Sequence, residues 1–77
     1  MKSATTKEQI DRKTRYINQL LGDMIPEKIC FLRTYRENGH WTIEMEKMAG
    51  RVNIVHPKTA GGCWDVLHAI EVILQEV

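Results

Sequence analysis

Serine is nearly missing from this chain. Ser3 is the only one, in an opening stretch (residues 1–8) of polar and small residues. That leaves no serine nucleophile inside a folded region. The same stretch lacks the apolar run and cleavage-like site of a signal peptide. Cysteine is scarce as well: Cys30 and Cys63 stand 33 residues apart with no near neighbour. A small secreted scaffold held by disulfides carries more of them, so the expectation is two buried free thiols and a cytoplasmic chain. Long apolar runs are missing too, and the sequence predicts no membrane span. The three histidines, His40, His56 and His68, form no H-x-x-x-H pair, and there is no C-x-x-C. No metal or other cofactor is expected from such spacing.

No sign of charge dominates, since the net charge is +1. Its distribution is uneven: residues 1–36 hold eight Lys/Arg against four Asp/Glu, and residues 37–77 hold three against six. A basic front half steers weakly toward nucleic acid.

What is present is ordinary for a folded protein: 43% apolar and 27% charged residues, which argues against disorder. A chain of 77 residues has room for one core and buries about 60% of its unfolded surface. One domain is expected over 1–77, with 1–5 frayed. Thr5-Thr6-Lys7-Glu8 matches a capping box. Ile10, Thr14, Ile17, Leu20 and Leu21 then share one helical face, and Gly22 followed by Pro26 reads as a stop. A helix is predicted over 6–21.

Strands are predicted over 28–36 and 40–47. Asn38-Gly39 between them is a strong two-residue hairpin signal, because a type I′ turn needs positive φ twice. That turn sets Arg36 opposite Trp41, Thr34 opposite Ile43, Leu32 opposite Met45 and Cys30 opposite Lys47. This face should meet the core. The other face sets Arg33 opposite Glu44, Tyr35 opposite Thr42 and Phe31 opposite Glu46, and reads as solvated. Ala49-Gly50 predicts a second turn, 51–55 a third strand, and Pro57 its end. A last helix is predicted over 61–76, capped by Thr59. Cys63, Val66, Leu67, Ile70, Ile73, Leu74 and Val77 form its apolar stripe. The fold class is therefore α+β, in the order α-β-β-β-α. It is a three-stranded antiparallel meander with two helices packed on one face.

That order, with Gly39-His40 between the first two strands, resembles the double-stranded-RNA-binding domain. The resemblance implies the fold. That family also grips phosphates with lysines opening its second helix. Here the stretch is Ala60-Gly61-Gly62-Cys63-Trp64-Asp65, with only Lys58 nearby, which removes that clamp. Over most of its length the chain, with Ile17-Asn18-Gln19-Leu20-Leu21-Gly22 ending the first helix, also resembles small uncharacterised proteins of phages and integrated mobile elements. That resemblance implies an accessory role.

Five constellations carry possible chemistry. Cys63 sits at a helix start, where thiolates are stabilised, yet it belongs to the buried stripe. Glu44 and Glu46 share a strand face, but on an open sheet rather than in a cleft. Gly61-Gly62 offers amides to an anion, with no P-loop lysine following. Lys7, Arg12, Lys13 and Arg15, with Tyr16, are candidate nucleic-acid contacts, or else a solvated face shared with Glu8 and Asp11. Finally Trp64, His68 and Val72 on the last helix, and Phe31 and Tyr35 on the sheet, are side chains that the core does not need. Such residues form a candidate partner surface, for another protein or a second copy. The plain alternative for Trp64 is packing against the first helix or the Pro57 loop. The expectation is a non-enzymatic interaction protein, with nucleic-acid binding through the first helix as the alternative.

Overall fold

The computed structural model describes residues 5–24, 30–47 and 50–76. Along the chain run helix α1 (Lys7–Met24), strands β1 (Cys30–Glu37), β2 (His40–Lys47) and β3 (Gly50–Val55), and helix α2 (Ala60–Glu76). The strands form one antiparallel sheet in the order β1-β2-β3. The predicted α+β meander is the architecture found.

Helix α1 starts one residue later than its motif suggested. Thr6, not Thr5, is the cap. Its Oγ1 accepts the Gln9 amide at 3.2 Å, and Gln9 Oε1 accepts the Thr6 amide at 2.9 Å. Glutamine closes a capping box as glutamate does, so Thr6-x-x-Gln9 displaces Thr5-x-x-Glu8. The far end is also corrected, because the helix runs through Gly22 to Met24. A mid-helix glycine costs only about 1 kcal/mol, too little to stop a helix whose buried face is already formed. Pro26 lies outside the described residues.

The hairpin turn has positive φ at both positions, 53° at Asn38 and 80° at Gly39. Every pairing expected from it is present, from Glu37–His40 to Cys30–Lys47. Strand β3 pairs Met45 with Val52 and Glu44 with Asn53, then slips so that Ile43 meets Val55. Ile54 is thus the extra residue of a bulge, which bends and ends the regular ladder. Gly50 opens the strand with φ of 135°, a value that favours glycine. Ala49, predicted to share that turn, lies outside the described residues. Beyond β3 the Trp41 amide donates to the Pro57 carbonyl at 2.8 Å, holding the chain against β2 until α2 begins. Thr59 caps α2 as expected, its Oγ1 taking the Gly62 amide at 2.9 Å.

Both helices lie on one face of the sheet, α1 over β1 and α2 over β2, and pack against each other. Ile10, Ile17 and Leu21 of α1, Leu32, Trp41 and Ile43 of the sheet, and Cys63 and Leu67 of α2 form one buried cluster. The thinnest dimension, 17 Å, is that of one helix layer on one sheet. Leu20 of the predicted α1 face is only half-buried.

Helix α1 also overhangs the outer edge of β1. The Asn18 carboxamide donates to the Leu32 carbonyl at 2.9 Å and accepts the Leu32 amide at 2.7 Å. It takes the place of a neighbouring strand. Thr14 Oγ1 bonds Thr34 Oγ1 at 2.8 Å alongside. The face without helices is less solvated than its sequence suggested: Thr42 and Glu44 are only 2% and 3% exposed. They sit on the central strand, where Tyr35 of β1 bonds Glu44 and His56, just beyond β3, bonds Thr42.

Candidate functional site

The outer groove between the helices is built from two stripes. On α1, Gln9, Arg12, Lys13 and Tyr16 recur at spacings of three and four. On α2, Trp64, His68, Glu71 and Gln75 do the same, so each set lies along one side of its helix. Gln9, Arg12, Lys13, Tyr16, Trp64 and Glu71 line a groove of about 320 Å³ to which no strand contributes.

Lys13 is its centre. Its ammonium pairs with the Glu71 carboxylate, both side chains being only 14% exposed. It also lies 4.5 Å from the centre of the Trp64 ring, a cation–π position. His68 Nδ1 is 3.1 Å away. An ammonium can only donate, so in this contact the ring nitrogen accepts. Trp64 and His68 stack nearly parallel, 5.0 Å between centroids and 10° between planes. The Gln75 amide donates to the Tyr16 hydroxyl at 3.2 Å. These contacts hold Trp64, half-buried, in one orientation at the surface.

Among the predicted nucleic-acid contacts, Lys7 pairs with Asp11 at 2.8 Å and Arg12 with Glu8 at 2.6 Å. With Lys13 paired to Glu71, Arg15 is the one of the four without a carboxylate partner among the described residues. The structure brings Arg12 and Lys13 together with Trp64 and His68, joining two surfaces that looked separate. It leaves Lys7, Arg15, His68 and Val72 out of the groove lining, His68 standing behind it against Lys13 and Trp64. Val72 is exposed on α2. The plain alternative for Trp64, packing against α1, is also present, through Lys13. Glu71 and Gln9 were missed; the i, i+4, i+7 spacing of Trp64, His68 and Glu71 was the available signal.

Phe31 and Tyr35 lie on the opposite side of the molecule, on the face without helices. Phe31 is exposed. Tyr35 instead donates its hydroxyl to Glu44 Oε2 at 3.1 Å. Burial, then the bond to Glu44 and its charge, raise the Tyr35 phenol above its ordinary range. Arg33 Nη1 stands 3.8 Å from Glu44 Oε1, which has no hydrogen-bond donor among the described residues.

Cys63 is fully buried, and burial pushes its thiol up to about 11. That is opposite to what a nucleophile needs. Thr59 occupies the Gly62 and Cys63 amides through its hydroxyl and carbonyl, so they are not open to an anion. His40 packs edge-on against His56, with centroids 5.6 Å apart. His56 Nδ1 bonds Thr42 Oγ1 at 3.2 Å. Among the described residues, no three His, Cys, Asp or Glu side chains come together as metal ligands would. Among the described residues, no helix is long and apolar enough to cross a membrane. No protein-family model, curated protein or solved structure matches this chain.

Proposed function

We propose that this chain is a non-enzymatic interaction protein that presents the α1–α2 groove to a protein partner. The observation that carries this reading is Trp64, held at the surface by contacts of its ring with both His68 and Lys13. A large aromatic fixed before binding loses little freedom on contact, and such residues dominate protein interfaces. The polar groups around it, Gln9, Arg12 and Tyr16, form a rim of the kind that surrounds such anchors. The resemblance to phage and mobile-element proteins adds an accessory role in that setting.

The test is a recovery experiment from host lysate with the wild-type chain and Trp64→Ala, each checked for an unchanged far-UV spectrum. A protein retained by the wild type and lost by Trp64→Ala, then shown to bind the purified chain, supports the reading. Equal recovery by both overturns it.

One observation favours a second reading. Trp64 stacked on His68 beside Arg12 and Lys13 is also a platform on which a nucleic-acid base can stack. Pairing of Lys7, Arg12 and Lys13 with carboxylates leaves that platform little net positive charge, and so ranks this reading second. Arg12→Glu with Arg15→Glu should abolish a low-salt mobility shift of single-stranded nucleic acid if this reading holds. An unchanged shift rejects it.

A further inference from the structure

The two edges of the sheet are treated differently. At β1, the outward backbone groups of Leu32 are taken by Asn18, and α1 lies alongside. At β3 there is no such cover. The Trp41 amide points toward the β3 side, where it meets Pro57. In an antiparallel ladder the facing residues alternate, so Met45 and Val52 exchange bonds and the Arg51 and Asn53 backbone groups face outward. Among the described residues nothing bonds to them. Helix α2 reaches β2 but not β3, which leaves Val52 49% exposed on the helix side of the sheet. On α2, Ile73 is 64% exposed and stands half a turn round from Trp64, on the flank turned away from α1. Val52 on the sheet and Ile73 on α2 are thus both exposed apolar side chains on the side of the molecule away from α1.

We propose that a second copy of this chain closes this edge, β3 against β3, in a two-fold antiparallel pairing that makes one continuous six-stranded sheet. The register follows from which groups face outward. Arg51 pairs with Asn53 of the second copy, Asn53 with its Arg51, and Val52 meets the equivalent Val52 on the axis. Each outward amide then finds an outward carbonyl.

Charge fits this occupant. The only charged residue of β3 is Arg51, whose guanidinium is held by Glu46 at 3.2 Å, and the register sets it opposite an uncharged residue. The bulge at Ile54, the position that would face Gly50 of the second copy, confines the pairing to residues 51–53. The blocked β1 edge prevents head-to-tail growth, so the association stops at two copies rather than extending as a fibre. The same pairing covers Val52 and brings the two α2 helices toward the join, on the flank where Ile73 is exposed. This surface is separate from the Trp64 groove, and either can hold without the other.

Sedimentation of the full chain, at concentrations up to about 1 mM, where an association worth only about 4 kcal/mol is still visible, tests the proposal. The expected mass is twice the 9.0 kDa monomer. Val52→Lys should remain a monomer with an unchanged far-UV spectrum, and Trp64→Ala should dimerise like the wild type. Residues opposite each other in a non-hydrogen-bonded antiparallel pair have Cα atoms about 4.5 Å apart, within disulfide reach. Val52→Cys should therefore yield a 52–52 linked dimer on mild oxidation, identified by peptide mapping. A wild-type monomer throughout the range, with the edge left to some other chain, overturns the proposal. So does a dimer that survives Val52→Lys and gives no 52–52 link.

Discussion

A single carboxamide does the work of a strand at the β1 edge. Leu32 is 2% exposed, so its amide and carbonyl have no water to turn to if Asn18 is removed. Buried unpaired groups cost about 1–3 kcal/mol each. Asn18→Ala should lower stability by about 2 kcal/mol, read as a drop in urea midpoint at unchanged slope. Cys63 makes a different residue-scale prediction. Its thiol has an ordinary value of 9.0 and is raised to about 11 in the fold, so the folded state favours the neutral form. The stability this confers is complete below pH 9 and is lost as pH rises through 11. Cys63→Ala leaves a cavity and should be less stable at pH 8. The gap to wild type should narrow by on the order of 2 kcal/mol between pH 9 and 11, measured by urea unfolding at each pH. A gap independent of pH would show that the thiol titrates as it does in the unfolded chain.

At the scale of elements, the helices carry avoidable weaknesses. Gly22 lies within α1 at a negative φ, and a methyl group there would meet nothing within 4 Å. Gly22→Ala should raise the stability by about 0.5–1 kcal/mol, seen as a higher melting temperature. The same glycine shows where the sequence was legible and where it was not. Asn38-Gly39 determines its own backbone, so the hairpin and its register could be read directly. Gly22 does not: in a helix it costs little, and whether it ends one depends on the burial of Ile17 and Leu21, which is tertiary. Glu44 was harder still. Its alternation marks the face without helices, but its burial comes from neighbouring side chains, Tyr35 among them, that no linear pattern brings together. The groove was half legible for the same reason. Each helix shows its own stripe, whereas the pairing of Lys13 with Glu71, 58 positions apart in the sequence, depends on how the two helices are laid side by side.

For the molecule as a whole, two helices are enough to cover two strands and not three. The core is accordingly concentrated under α1 and α2, and β3 adds only partly buried Val55 to it. A chain this small has little stability to spare, which raises the value of any contact that covers Val52 and Ile73. The join between α1 and α2 has a consequence in time. Helix α1 finds its main neighbour in α2, which is made only after the sheet. At about 5–20 residues per second, several seconds separate the emergence of Met24 from that of Glu76. During that interval Ile10 and Ile17 have no α2 to shelter them. The nascent chain therefore exposes its first helix until synthesis has passed the end of α2, a window in which a ribosome-bound chaperone has something to hold.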